Sequence, residues 1–169
     1  MQPFLIDKQT IMQGLITAEP FALEKQGVKP NLIVLADYGY ASYANVIYTS
    51  QKMIAEKPDV VQRFVNASIL GWYGYMYGDN TAANRLIKEH NKEMQDDQLA
   101  FTRETMLKHG LIDSGDSMKL GIGALTDARW RALWESTFKD SGLYPADLDY
   151  KGAFTLRFVN KGVGVEQRR

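Results

Sequence analysis

The residues able to do chemistry in this chain are recognisers rather than reactors. Cysteine is absent, which removes thiolate nucleophiles, Cys-held metals and disulfides. The only histidines, His90 and His109, lie about five helical turns apart on a continuous helix, too far for a metal pair at helical spacing. No Ser/His/Asp arrangement is visible, because both histidines fall at predicted helix ends. The groups that stand out instead are Glu19, Asp37, Tyr38, Tyr40 and Asn45. Carboxylates accept hydrogen bonds from ring N–H or amino groups. Tyrosine rings stack on flat molecules and keep a hydroxyl for recognition. An asparagine amide both donates and accepts. That set would grip a small, flat, polar organic molecule without transforming it.

The elements expected to hold these groups follow from the run Gly14 to Tyr40, GLITAEPFALEKQGVKPNLIVLADYGY. Leu15 to Ala18 reads as a short apolar strand leading to the Glu19-Pro20 corner. Pro20 suits the first turn of a helix, where its missing N–H costs nothing. That helix should close at Gly27, a natural left-handed cap. Leu32 to Leu35 is continuously apolar, the pattern of a strand buried on both faces of a parallel sheet. In open α/β sheets ligands meet the carboxyl ends of the strands, which puts Glu19 after one strand and Asp37, Tyr38 and Tyr40 after the next. Asn45 opens a third strand candidate, Asn45 to Thr49, rich in β-branched residues. The sheet so drawn starts in mid-course, and the expectation is that strands preceding Met1 would complete it.

Beyond residue 50 the pattern turns helical. Ser50 caps a short helix to Ile54. Lys57-Pro58-Asp59 starts the longest one, to about Tyr77, with Val61, Phe64, Val65, Ser68, Ile69, Trp72 and Met76 on one face. Further helices are expected from Asp79 or Asn80 to about Asn91, from Gln95 to Lys108 with Gly110 as its stop, and from a Thr126 cap to Gly142. The last of these carries Trp130, Leu133, Trp134 and Phe138 toward a core. Phe154 to Phe158 reads as a last extended segment, and Lys161 to Arg169 as a frayed polar tail. Gly121-Ile122-Gly123 lacks the Lys-Ser/Thr ending of a phosphate loop and reads as a turn before the capped helix. Asn66-Ala67-Ser68 is a glycosylation sequon by chance, inside a predicted helix.

Composition narrows the function classes. Twenty basic and twenty acidic residues balance to zero net charge, so no basic surface is available for nucleic acid. With 45% hydrophobic residues the chain can build a core. The first residues show neither the basic nor the apolar part of a secretory signal, and no run approaches the roughly 20 apolar residues of a membrane span.

Three stretches carry a resemblance: GLITAEPFALEKQGVKPNLIVLADYGY, then TSQKMIAEKPDVVQRFVNASILGWYGYMYGD, then LGIGALTDARW. Together they resemble the substrate-binding proteins of ABC importers of the thiamine-pyrimidine-precursor-like, sulfonate/nitrate/taurine type. The resemblance covers about Pro3 to Val163 and matches the C-terminal half of that family. It implies an α/β fold: the C-terminal part of a two-lobe type II periplasmic-binding-protein architecture, helix-rich, with an incomplete sheet. Residues 1–44 would be the end of the second ligand-binding lobe, 45–160 the part returning to the first lobe, and 161–169 a polar tail.

The function implied is solute binding for an ABC transporter, non-enzymatic and without a cofactor. The solute would be a small polar organic molecule, first a pyrimidine-like heteroaromatic and second a sulfonate or other small anion, held in an interlobe cleft by Glu19, Asp37, Tyr38, Tyr40 and Asn45. Partners would be the solute and the permease subunits of the intact family. Location would be periplasmic for the intact family and cytoplasmic for a chain made as written. The alternative is a helical interaction or dimerisation protein self-associating through an open sheet edge. A third reading, a pyrimidine-biosynthesis enzyme on the same fold, conflicts with the lack of cysteine.

Overall fold

The computed structural model describes residues 2–40, 42–145 and 147–168; Met1 and Arg169, the ends named above, lie outside the described residues, as do Ala41 and Ala146. Eight α-helices occur among the described residues: α1 Gln2–Ile6, α2 Glu19–Glu24, α3 Gln51–Glu56, α4 Pro58–Tyr77, α5 Thr81–His90, α6 Asp96–Lys108, α7 Ser117–Leu120 and α8 Asp127–Leu133. A π-turn, Trp134–Phe138, continues α8, and short 3₁₀ turns span Leu35–Tyr38, Tyr150–Ala153 and Val165–Gln167. The helix-rich character agrees with the sequence. The chain divides into two units, each assembled from two separate stretches: residues 1–34 with 79–111, and 35–78 with 112–169.

In the first unit, α2 starts where Pro20 allows it and ends before Gly27, whose φ of 76° is the left-handed geometry that glycine tolerates. Its Phe21 ring packs on Phe101 of α6 at 5.2 Å between centroids. Leu23 and Leu99 are buried. Gln98 and Thr102, one turn apart on α6, both donate to the Thr17 carbonyl, at 3.2 and 2.9 Å, and so satisfy backbone just before α2. Lys25 pairs with Asp97 and Lys88 with Asp96, so both aspartates of the positive first turn of α6 have a lysine partner.

The second unit is centred on α4. Val65, Ile69 and Tyr73 of this helix pack with Ile122 and Phe158, and Ile54, Val61, Ile112, Val159, Val163 and Val165 close around them. Both caps expected from sequence form: the Ser50 hydroxyl accepts from Met53 N at 3.1 Å, and the Thr126 hydroxyl from Arg129 N at 3.3 Å. The buried face of α4 is turned from the one anticipated. Tyr73 is wholly buried, while Phe64 and Trp72 are exposed. The cause is polar: the Tyr73 hydroxyl accepts from Ile122 N at 3.2 Å and from Arg168 Nη2 at 3.1 Å, which carries that ring inward.

No strand forms among the described residues, which corrects the expected sheet. Leu15–Ala18 runs into a turn before α2, and Leu32–Leu35 and Asn45–Thr49 are unpaired, with Leu32, Ile33, Leu35, Val46, Ile47 and Tyr48 exposed. The physical reason is that a strand is stabilised by its neighbours' hydrogen bonds and side chains, and none lies alongside these segments. Phe154–Phe158 is likewise irregular and then turns.

The terminal segment does not fray. Gly162 N donates to Leu120 O at 3.1 Å, and the Asn160 amide brackets Leu125, accepting from its N–H at 3.1 Å and donating to its carbonyl at 2.7 Å. Gly164 lies so close to α4 that a Cβ there would be 2.7 Å from Tyr73 Cδ2.

Candidate functional site

Glu19 is the first residue of α2, in the first unit. Its Oε2 accepts from Leu15 N at 2.6 Å, so one carboxylate oxygen closes the corner before the helix. Its Oε1 accepts no hydrogen bond among the described residues, leaving a lone acceptor at the helix entrance.

Asp37, Tyr38, Tyr40 and Asn45 all fall in the second unit. Asp37 and Tyr38 end the 3₁₀ turn Leu35–Tyr38, which Tyr40 N closes by donating to Leu35 O at 3.1 Å. Gly39, at φ 93°, lets the chain reverse between the two tyrosines. Tyr38 is 78% exposed and Tyr40 45% exposed, and Asp37 is also exposed. The turn therefore presents two rings and an acidic acceptor to solvent. Asn45 is exposed on the irregular stretch that follows. These four residues belong to the second unit, and Glu19 belongs to the first.

Two clusters escaped the sequence reading. In the first, Arg168 grips Asp113 with both arms of its guanidinium, Nε to Oδ2 at 2.6 Å and Nη2 to Oδ1 at 2.7 Å. The same guanidinium donates to the carbonyls of Ser117 and Met118, each at 3.0 Å. Tyr77 and Ser117 hydroxyls also donate to Asp113, at 2.8 and 2.9 Å. The Asp113 side chain is only 3% exposed. Burial works to raise its pKa, but the hydrogen bonds from Arg168, Tyr77 and Ser117 and the Arg168 charge prevail and hold it below the ordinary carboxylate value. Tyr77 is raised, by burial first and then by the bond it donates to Asp113. Arg168 is raised, chiefly by its bond to Asp113. Every polar atom at the centre has a partner, so this is a clasp and not a vacant site. Asp113 and Asp116 share the same turn-like stretch, so the sequence does not single Asp113 out.

In the second cluster, Trp130 stacks on Phe154 at 5.0 Å with the rings 5° from parallel, Tyr150 continues the stack at 6.3 Å, and Tyr43 leans on Trp130 at 5.6 Å. The Arg129 guanidinium sits 4.7 Å from the Tyr43 ring centre. Tyr43 OH accepts from Thr126 N at 2.9 Å, tying the Asp37–Tyr43 stretch to the start of α8. The anticipated turn before α8 is present at Gly121–Gly123, held on Tyr73 through Ile122.

Two open surface hollows, one lined by Glu24, Gly27, Val28 and Lys29 and another by Ser50, Lys52, Met53, Glu56 and Lys57, include none of the anticipated residues. Among the described residues no three His, Asp or Glu side chains converge to hold a metal, and no helix is long and apolar enough to cross a membrane.

Comparison with known proteins adds two likenesses. The model of the family described as NMT1/THI5 like matches residues 2–83. The riboflavin-binding protein RibY of Chloroflexus aurantiacus is 29% identical over 157 residues, covering 92% of this chain and 44% of RibY. The chain thus spans less than half the length of that curated relative. No solved structure matches. The chain is therefore NMT1/THI5-like over residues 2–83, the stretch that holds Glu19, Asp37, Tyr38, Tyr40 and Asn45, and is similar to a riboflavin-binding protein over most of its length.

Proposed function

We propose that this chain is part of the solute-binding component of an ABC importer and that its solute is a flat heteroaromatic. The observation that carries this reading is the likeness to RibY, a protein named for binding riboflavin, along 92% of the chain. The isoalloxazine of riboflavin is flat and carries a pyrimidinedione edge of alternating N–H and C=O groups. A pyrimidine-like solute and a flavin therefore ask the same of a site: ring faces to stack on, and acceptors and donors along one edge. Within the second unit, Tyr38 and Tyr40 supply faces, Asp37 an acceptor and Asn45 both functions. RibY is named as a binding protein, and the proposed role here is likewise capture without chemistry. An importer's solute-binding protein hands its cargo to permease subunits outside the cytoplasmic membrane, and that partner and place belong to the same proposal.

The test is titration of riboflavin with the purified chain, read by quenching of flavin fluorescence, beside thermal unfolding with riboflavin, a simple pyrimidine, taurine and nitrate. A ligand that binds only the folded state raises Tm. Riboflavin or the pyrimidine should raise it and the anions should not. Tyr38→Ala, at an exposed position, should weaken binding roughly 3- to 10-fold, the worth of one ring contact, without lowering Tm. A rise with taurine or nitrate alone would replace the heteroaromatic by an anion. No response to any of the four would remove the solute-binding reading for this chain.

A further inference from the structure

We propose that Tyr43 is the positioning residue of the solute site: it touches no solute itself but fixes the stretch from Asp37 to Asn45, which carries the recognition groups, onto the start of α8. The inference rests on the solute reading above and deepens it. Tyr43 lies between Tyr40 and Asn45 in sequence. Before it, the turn Leu35–Tyr38 is closed by its own backbone, with Gly39 N donating to Ala36 O at 3.2 Å and Tyr40 N to Leu35 O at 3.1 Å. From residue 42 to residue 49 no backbone–backbone hydrogen bond occurs among the described residues. Backbone of that kind opens readily unless side chains hold it. One clamp does so here. Thr126 N donates to the Tyr43 hydroxyl at 2.9 Å, and Arg129 Nη2 donates to Ser42 O at 3.2 Å. The Tyr43 ring meets the Arg129 guanidinium at 4.7 Å and the Trp130 ring at 5.6 Å. Among the described residues, the hydrogen bonds and ring contacts of Ser42 and Tyr43 all run to Thr126, Arg129 and Trp130.

The receiving end of the clamp is itself fixed within the second unit. The Asn160 amide brackets Leu125, the neighbour of Thr126, at 3.1 and 2.7 Å. The Thr126 hydroxyl accepts from Arg129 N at 3.3 Å, and Trp130 stacks on Phe154 at 5.0 Å. Tyr43 therefore ties a stretch with no backbone ladder of its own to a start of α8 that is held on both sides. A segment ordered before its ligand arrives costs the complex less than one that must be ordered on binding. With the clamp intact, Asp37, Tyr38, Tyr40 and Asn45 meet a flat heteroaromatic on backbone already in place. Without it, part of the binding free energy goes into ordering the segment. Affinity then falls although no group that touches the solute has changed.

The experiment uses the whole chain and Tyr43→Phe, which keeps the ring against Arg129 and Trp130 and removes only the acceptor for Thr126 N. Riboflavin Kd is read by flavin fluorescence, and amide hydrogen exchange by mass spectrometry on the riboflavin-free chain. Kd should rise roughly 3- to 10-fold, the worth of one hydrogen bond. Exchange should quicken in peptides covering residues 37–49 and keep the wild-type rate across α4, a pattern that a general loss of stability would not give. Combined with Tyr38→Ala, Tyr43→Phe should weaken binding by less than the product of the two separate factors, because a displaced segment has already lost part of what Tyr38 gives. Arg129→Lys is the second variant, and it answers the same question if Tyr43→Phe does not fold. It removes the guanidinium from Tyr43 and Ser42 but leaves the Thr126 cap, which uses a backbone N–H. It too should raise Kd and quicken exchange over 37–49. A wild-type chain that binds no riboflavin removes the solute reading and this inference with it. Wild-type binding with Kd unchanged in both variants overturns the inference alone. So does a raised Kd with exchange over 37–49 unchanged, which would make Tyr43 a contact of the solute.

Discussion

Replacing Arg168 by alanine tests whether the terminal segment is structural. The substitution removes both arms of the grip on Asp113 and the bonds to the Ser117 and Met118 carbonyls and the Tyr73 hydroxyl. Asp113, 3% exposed, keeps only the Tyr77 and Ser117 hydroxyls. Removing one partner of a buried ion pair costs ~3–5 kcal/mol. Arg168 itself is 21% exposed, so water can enter where it stood, and the lower end, about 3 kcal/mol, is expected. At about 2–4 °C per kcal/mol for a chain of this size, Tm should fall by roughly 6–12 °C at pH 7.

The pH dependence gives a second reading of the same cluster. The carboxyl of Asp113 is depressed in the folded state, so its contribution is complete above the ordinary 3.8 and is lost as pH falls through the folded value. The Tm gap between wild type and Arg168→Ala should therefore be full at neutral pH and close in acid. In a double-mutant cycle, adding Asp113→Asn to Arg168→Ala should cost less than the two separate losses summed, because the pair is one unit. Thermal scans by circular dichroism, from pH 7 into acid, measure all of this. A Tm for Arg168→Ala within experimental error of wild type at pH 7 would refute the clasp.

Three further substitutions probe other elements. Tyr73→Phe removes the hydroxyl that accepts from Ile122 N and Arg168, and should cost about 1–3 kcal/mol in chemical denaturation by leaving a buried donor unmet. Gly164→Ala would set a Cβ 2.7 Å from Tyr73 at a residue with φ 76°, and should lower stability by about 1–3 kcal/mol, where an alanine on an open surface would change little. Lys25→Ala removes an exposed ion pair with Asp97 and should leave the denaturation midpoint close to that of the wild type, a contrast that separates buried from surface pairing.

Local signals were legible in the sequence and non-local ones were not. Pro58 and Tyr77 bound α4 as expected, Asp96 and Lys108 bound α6, and Ser50 and Thr126 cap as their positions implied. Capping and helix propensity are decided within a few residues, so one chain suffices to see them. The strands failed for the opposite reason: Leu32–Leu35 has the composition of a buried strand, but pairing is settled by whatever lies alongside. The inward turn of Tyr73 rather than Trp72 depends on Arg168, ninety-five positions away in sequence. Asp37, Tyr38 and Tyr40 were expected after a strand, and the 3₁₀ turn Leu35–Tyr38 that holds the first two was not read from the sequence. The column of Tyr43, Trp130, Phe154 and Tyr150 was not read either, since it joins three distant stretches.

The interleaving of the two units also bears on how the protein is made. All of the first unit's residues precede position 112, so it can mature while synthesis continues. The second unit contains residue 35 and residue 168 alike, and among the groups that meet at Asp113 the arginine is translated last. Until it emerges from the ribosome, Tyr73, Tyr77 and Asp113 exist without their common counterpart. A product that stopped short of Arg168 would carry all eight described α-helices and an Asp113 carboxylate without its counter-charge.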